Sequence, residues 1–295
     1  MDNNLLPQPT DLPTDLDALV VGGGPAGLQA TLTLGRMHRR VLLADDGHPR
    51  NAPAGHMHNF LTHDGTPPAE FAAAARRELE AYDSVSTVDV RVDTVRALTA
   101  GGFEADLADG RTLTARRLIL ATGVRDDLPD VDGLAEHFGT LVHHCPFCHG
   151  HELSGARVGI LVSPFSGHLS MLLGPIADEV VLLDAITGVA EVDGRMEARL
   201  PDGSRELLDG LFVRTELRPS APHADQLGLE RHEGGGIAVD LMGRTSVPGV
   251  FAAGDAAHHR DLPMPSASVL AAAAAGQAAA GATVADLLME AAPAR

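Results

Sequence analysis

The sequence predicts an α/β protein with two Rossmann-like (two-dinucleotide-binding) domains, the first discontinuous and the second, central domain inserted into it. Three observations carry this expectation. The apolar run Asp17-Ala18-Leu19-Val20-Val21 leads into a glycine-rich turn and then a helical stretch. A second run, Val158-Gly159-Ile160-Leu161-Val162, begins the same strand–helix–strand pattern in mid-chain. Near the end, Gly249-Val250-Phe251-Ala252-Ala253-Gly254-Asp255 reads as a third buried strand entering a turn. Strands covered on both faces are continuously apolar rather than alternating, and repeated βαβ units imply parallel sheets.

The elements follow in order. Residues 1–16 read as a flexible leader. After the strand at 17–21 comes a helix from Leu28 to Met37, and Val41-Leu42-Leu43-Ala44 closes the first βαβ unit at Asp45-Asp46. Residues 66–82 have helical composition. Val88 to Asp93, Phe103 to Leu107 and Thr112 to Leu120 read as strands, with Asp109-Gly110 as a hairpin turn. Proline and acidic residues at 126–133 suggest a linker. The second βαβ unit takes its helix from 168–177 and its second strand from Glu179 to Leu183, and strand-like stretches follow at 195–200 and 206–213. Alanine-rich Ser266 to Met289 reads as a long final helix. The expected domains are 17–126 with 243–295, and 127–242 between them.

Composition narrows the function classes. The chain has 295 residues, enough for two ordinary domains, and 44% hydrophobic residues, enough for real cores. Net charge is −18, and all 22 basic residues are arginine. Such an acidic chain is a poor partner for nucleic acid or an anionic membrane. Met1 to Asp17 has no basic n-region and no apolar h-region, so no signal peptide is read. The apolar stretch Val269 to Ala282 is read as too short and too weakly hydrophobic to span a bilayer. The expected location is the cytoplasm.

Two motifs carry chemistry. Gly22-x-Gly24-Pro25-Ala26-Gly27 sits between strand and helix. Its glycines permit a tight turn, backbone approach to a pyrophosphate and close helix packing, while the helix N-terminus offers free N–H groups to the phosphates. Asp45, with Asp46 as second choice, is placed to accept hydrogen bonds from a ribose. The other motif is His143-His144-Cys145-Pro146-Phe147-Cys148-His149-Gly150, which holds the two cysteines of the chain. A C-x-x-C pair can exchange two electrons as dithiol and disulfide, and the arrangement lowers thiol pKa. Outside an oxidising compartment such a pair points to redox catalysis or to a metal, and zinc held by Cys145 and Cys148 with the flanking histidines is the competing use. We expect no metal. His56, His58 and His63 read as loop or surface residues, and His258 and His259 are left open.

The order GGGPAG, ATG, CPFC and GVFAAGD resembles the thioredoxin reductase family of flavoproteins from about residue 17 onward. That resemblance implies FAD on the first glycine motif, with Ala121-Thr122-Gly123 closing the first part of the FAD domain. It also implies Gly254 and Asp255 at the ribityl or phosphate region, and Ser266 and Ala267, at the start of the last helix, facing the flavin edge. It implies Cys148 against the flavin and Cys145 facing the external thiol or disulfide. His149 stands where typical members carry an acid, so His149, or else His144, is the candidate proton carrier near pH 7. Dimerisation is usual in that family, and a homodimer is expected.

The second βαβ unit departs from the family pattern. After Val162 the chain reads Ser163-Pro164-Phe165-Ser166-Gly167-His168, without the glycines that admit a pyrophosphate. The next strand ends Asp184-Ala185-Ile186-Thr187, without arginines for a 2′-phosphate. NADPH binding is therefore expected to be lost or strongly altered. The turn Gly47-His48-Pro49-Arg50-Asn51, with Asn51 a cofactor candidate, the stretch His56-Met57-His58-Asn59-Phe60 and the HHCPFCHG core resemble FAD-dependent dithiol oxidases of the gliotoxin and holomycin type. This implies oxidation of a small-molecule dithiol, with O2 as acceptor and H2O2 as product. Two alternatives stay open: a reductase serving a thioredoxin-like protein, and a redox sensor that keeps FAD without turnover.

Overall fold

The computed structural model describes residues 12–262 and 267–291. The chain runs through β1 (Leu16–Val21), α1 (Pro25–Arg36), β2 (Val41–Ala44), α2 (Pro68–Leu79), β3 (Val85–Val88), β4 (Val92–Ala97), β5 (Phe103–Leu107) and β6 (Thr112–Leu120). It continues through β7 (Val124–Asp127), β8 (Val142–His143), α3 (Pro146–His149), β9 (Arg157–Leu161), α4 (Ser166–Leu173) and β10 (Glu179–Leu183). Next come β11 (Gly188–Val192), β12 (Arg195–Arg199), β13 (Arg205–Leu208), β14 (Gly210–Phe212) and β15 (Glu216–Pro219). The last elements are α5 (His223–Gln226), β16 (Ile237–Val239), β17 (Val250–Ala252), β18 (Ala257–His259) and α6 (Val269–Ala291).

The chain divides into two compact units: residues 1–50, 72–125 and 219–295, and residues 51–71 and 126–218. Residues 219–242 pack in the first unit, where β16 pairs with β18 in parallel.

The first unit is built on a sheet of order β3-β2-β1-β6-β5-β4, with β17 also pairing β6. β1 and β2 are buried at every residue, as expected for parallel strands covered on both faces. β5 alternates buried and half-buried residues, as an antiparallel strand with one wetter face does. The sheet forks at β6: its start pairs β5, and Leu118 to Leu120 pair Val250 to Ala252 of β17. α1 and α6 pack on each other. Small residues make this possible, since a Cβ at Gly276 would lie 2.0 Å from the Ala26 carbonyl oxygen.

Three sequence expectations need correction here. The strand read over Val88 to Asp93 is the end of β3 and the start of β4, with 89–91 turning between two pairing partners. Leu16 already belongs to β1, and the leader before it is described only from residue 12. The apolar stretch Val269 to Ala282, read as too short and too weakly hydrophobic to span a bilayer, lies within the longer final helix α6. That helix runs 23 residues and, among the described residues, is the one helix long and apolar enough to cross a bilayer by length and composition. Its apolar face is used inside the unit: Ala272, Gly276, Ala279, Ala280, Thr283 and Leu287 are buried.

In the second unit, β10-β9-β14-β8 form an all-parallel four-stranded sheet, and β11-β12-β13 form an antiparallel one. The strand read at 206–213 is in fact β13 and β14, in different sheets. Asp209 lies between them. Its carboxylate accepts the Arg157 N–H at 2.8 Å and pairs with Arg195 at 2.6 Å.

Candidate functional site

The glycine turn lies at the carboxyl end of β1, where ligands of α/β sheets bind. Gly22 adopts φ +102°, and a Cβ on it would meet the Ala121 carbonyl oxygen at 2.4 Å. That contact brings the turn against Ala121-Thr122-Gly123. A Cβ on Gly27 would lie 1.8 Å from the Gly22 carbonyl oxygen, so the helix seats tightly on the turn. Gly254 approaches the same helix start, its missing Cβ 2.9 Å from the Ala26 Cβ. Five expected residues, Gly22, Ala26, Gly27, Ala121 and Gly254, thus converge on the N-terminus of α1.

That N-terminus fits a diphosphate. A Cβ built on Gly24 would meet nothing within 4 Å, so the ground before the first helical turn is open. Gly24 caps α1 without a side-chain hydrogen bond, and the first turn holds no acid. The N-cap residue thus offers the first-turn amides no side-chain oxygen and the first turn itself carries no carboxylate, so the helix dipole favours an anion there.

Acidic residues frame the turn. Asp45 Oδ1 accepts the Gly23 N–H at 2.9 Å, and Asp45 is also ion-paired with Arg76, which reaches Asp89 at 3.1 Å. Asp46 is more exposed and stands 3.4 Å from His48. Asp255 is held by Arg50 at 2.9 Å, with both side chains about 19% exposed. The sequence reading marked neither arginine as a site residue. Arg76 carries no motif, and only its ion pair from the last turn of α2 to Asp45 reveals it. Ser266 lies outside the described residues, whereas Ala267 is described and exposed. Asn51 falls in the second unit.

The cysteines occupy the carboxyl end of β8 in the second unit. Cys145 caps the short helix α3, and Cys145 and Cys148 form a disulfide with Cα atoms 5.3 Å apart. The turn is closed by Cys148 N–H donating to the Cys145 carbonyl oxygen at 3.2 Å. Phe147, between them, is 68% exposed. Among the described residues no group of three or more His, Cys, Asp or Glu side chains is arranged to hold a metal ion.

Histidines surround the disulfide. His143 is 6% exposed, stacked on His149 at 4.3 Å and tilted against Phe212 at 5.5 Å. Burial, followed by the neighbouring His149 and His144, pushes its pKa down to about 3. Its Nδ1 has no hydrogen-bond partner. His149 is also held below the ordinary histidine value, chiefly by burial; Glu152 opposes that shift and His58 adds to it. His144 stacks on Phe138 at 5.6 Å. The sequence reading missed His143, His58 and Glu152 as site members, although Glu152 follows His149 at the i+3 spacing that can place two side chains together.

The turn after β9, where a second dinucleotide motif would stand, bonds two of its amides to its own serine hydroxyls. Ser166 Oγ accepts the Ser163 N–H at 2.7 Å, and Ser163 Oγ accepts the Phe165 N–H at 3.3 Å. The Arg214 guanidinium lies 4.7 Å over the Phe165 ring.

A nucleotide-binding βαβ turn, a returning Gly254-Asp255 strand and a C-x-x-C disulfide at the end of a parallel strand define a two-domain flavin–disulfide oxidoreductase. The chain belongs to the pyridine nucleotide-disulphide oxidoreductase family, whose pattern matches residues 16–162 and 178–279. It is 33% identical to thioredoxin reductase tcpT of Claviceps purpurea, over 81% of this chain and 86% of that protein. It is 34% identical to thioredoxin reductase sirT of Leptosphaeria maculans, over 83% and 88%. Among solved structures, HlmI superposes with a TM-score of 0.86 at 34% identity, covering 94% of this chain and 93% of that one. The protein is a thioredoxin reductase-like FAD oxidoreductase.

Proposed function

We propose that this protein is an FAD-dependent dithiol oxidase that closes a disulfide in a small molecule. The observation that carries the reading is the pairing of an intact C-x-x-C disulfide with a second nucleotide turn whose Ser163 and Phe165 amides are taken by serine hydroxyls and whose Pro164 has no N–H to give. A pyrophosphate needs free amides and close backbone approach at this turn, and these three positions supply no free amide. Residues 163–177 are also the stretch left out of the family match. On this reading NADPH takes no part in turnover.

FAD would be held by Gly22, Gly24, Pro25, Ala26 and Gly27 at its diphosphate and by Asp45, with Asp46 second, at the ribose. Asn51, Ala121, Thr122, Gly123, Gly254, Asp255, Ser266 and Ala267 complete the set. When bound, FAD supplies a two-electron acceptor that O2 can re-oxidise, so the net reaction is R(SH)2 + O2 → R(S–S) + H2O2.

The protein's own chemistry is thiol–disulfide exchange. A substrate thiol gives its proton to His149, neutral near pH 7 because burial lowers its pKa. The thiolate attacks Cys145 Sγ, the Cys145–Cys148 bond breaks, and Cys148 leaves as a thiolate. The second substrate thiol then attacks the substrate sulfur of the mixed disulfide, releasing the product disulfide, and its proton passes to the departing Cys145 sulfur. His144 is the alternative proton acceptor. We place the protein in the cytoplasm as a homodimer.

A second reading, reduction of a thioredoxin-like protein, is favoured by the names of the fungal relatives and by exposed Phe147 between the cysteines, which would suit a protein docking point. Anaerobic titration of the flavoprotein separates the readings. Bleaching by small dithiols but not NADPH, followed by recolouring and peroxide release in air, is expected of the oxidase. Bleaching by NADPH would establish the reductase, and no turnover with any donor would leave a sensor.

A further inference from the structure

We infer that Asp64, His58 and Glu152 form a carboxylate–histidine relay ending at His149, with His58 and Glu152 as positioning residues for the proton that thiol exchange releases. The inference rests on the dithiol–disulfide reading of this site and adds to it the route by which the proton reaches solvent.

The geometry is local to the second unit. The His58 ring lies between two carboxylates, Nδ1 3.5 Å from Asp64 Oδ1 and Nε2 3.6 Å from Glu152 Oε1. An imidazole with an acceptor at each nitrogen can take a proton on one side and release it on the other. These are ion-pair separations. A hydrogen bond of roughly 2.8–3.0 Å needs a side-chain adjustment of less than about 1 Å. The segment that carries His58 is pinned. Met57 bridges Thr66, Phe60 and His63 pack on Phe71, and Asp64 Oδ1 accepts the Asn59 N–H at 2.8 Å. Asp64 and His58 are therefore fixed relative to each other.

The route has a closed end and an open one. His143 from β8 stacks on the His149 ring, Cys148 precedes His149 in α3, Glu152 lies three residues beyond it in the following turn, and Glu152 and His58 from the 51–66 segment are close enough to act on its charge. His58 also faces His56, ring centroids 6.4 Å apart. His143 is buried and stays neutral, so it accepts no proton near pH 7 and serves as a wall. Glu152 is 43% exposed, His58 22% and Asp64 70%, so the relay meets water at both carboxylates and most fully at Asp64. The step balances. One S–H proton moves to His149 as a substrate–Cys145 bond forms, and the electron pair of the broken Cys145–Cys148 bond stays on Cys148. The imidazolium then faces that thiolate, and Glu152 stabilises the pair.

The test uses the full chain with its cysteines reduced and needs no turnover. The pH dependence of Cys148 alkylation by iodoacetamide is followed by peptide mass for wild type, Glu152→Gln, Asp64→Asn and His58→Asn. Loss of the Glu152 charge weakens the imidazolium–thiolate pair, so Glu152→Gln should move the midpoint up by about one pH unit, a tenfold slower alkylation below it. Asp64→Asn, which keeps the oxygen that caps Asn59, should move it less and in the same direction. In a His58→Asn background the effect of Glu152→Gln should shrink. An unchanged midpoint in Glu152→Gln or Asp64→Asn, or full additivity with His58→Asn, overturns the relay. If the midpoints move as stated while small dithiols fail to bleach the wild-type flavin, the oxidase reading falls and the relay stands.

Discussion

His149 stacks on His143 with ring centroids 4.3 Å apart and planes 26° from parallel, beside the Cys145–Cys148 disulfide. The partner nearer the core cannot take up charge at ordinary pH, so the pair offers one working imidazole rather than two. Its origin is topological. His143 is the last residue of β8, paired in register with Phe212 of β14, and His149 ends the helix that follows.

The burial of His143 makes stability depend on acid. The folded His143 titrates near 3, whereas in the unfolded chain it titrates near 6.5. Between those values the unfolded chain holds a proton that the folded one does not. This stability is full above pH 6.5 and is lost as pH falls, at up to about 1.4 kcal/mol per unit. His143→Phe should flatten the decline in urea midpoint between pH 6.5 and 4 and should cost nothing at pH 8. An unchanged slope would remove His143 as the source.

Two glycines of one motif should behave differently. Gly24 has extended backbone, φ −70° and ψ −179°, that any residue adopts, and open space at its Cβ position. Gly24→Ala should fold normally but bind FAD at least about tenfold more weakly, ~1.4 kcal/mol. Gly27→Ala puts a methyl 1.8 Å from the Gly22 carbonyl oxygen and should destabilise the apoprotein by about 1–3 kcal/mol. Apoprotein melting curves and FAD titration together check the contrast.

Cys148→Ser should leave the protein yellow yet abolish flavin reduction by dithiols. Stopped-flow absorbance under anaerobic conditions reads this directly. Retained turnover in that variant takes the cysteine relay out of the mechanism.

Helix α6 should tolerate no side chain at its closest approach to α1. Gly276→Val would drive a branched carbon into the Ala26 carbonyl oxygen, at a cost of about 2–3 kcal/mol and a fall in Tm of roughly 5–10 °C. Because Ala26 lies in the first turn of α1, FAD release should accompany the loss, measured as free flavin fluorescence on heating.

Much was legible in the residues alone. Continuously apolar runs marked β1, β2, β9 and β17, because a strand covered on both faces must be apolar throughout. The motif Gly22-x-Gly24-x-x-Gly27 and the pair Cys145 and Cys148 were legible because their spacing is itself the geometry. Asp209 misled because a polar break inside a β-like stretch can be a kink or a change of sheet, and only pairing partners distinguish them. The stretch Val269 to Ala282 reads as too weakly apolar because small residues look weakly hydrophobic one by one, although together they let two backbones touch.

What the sequence by itself determined is therefore the local chemistry: which turn can cradle a phosphate, which two sulfurs can join and which loop has lost its glycines. What only the tertiary structure decided is company: Arg50 on Asp255, Arg76 on Asp45, and His58 between Asp64 and Glu152. The physical reason is separation along the chain. Backbone geometry acts over a few residues and can be read from spacing, whereas partners 205 residues apart, as Arg50 and Asp255 are, meet only when the sheet has been assembled.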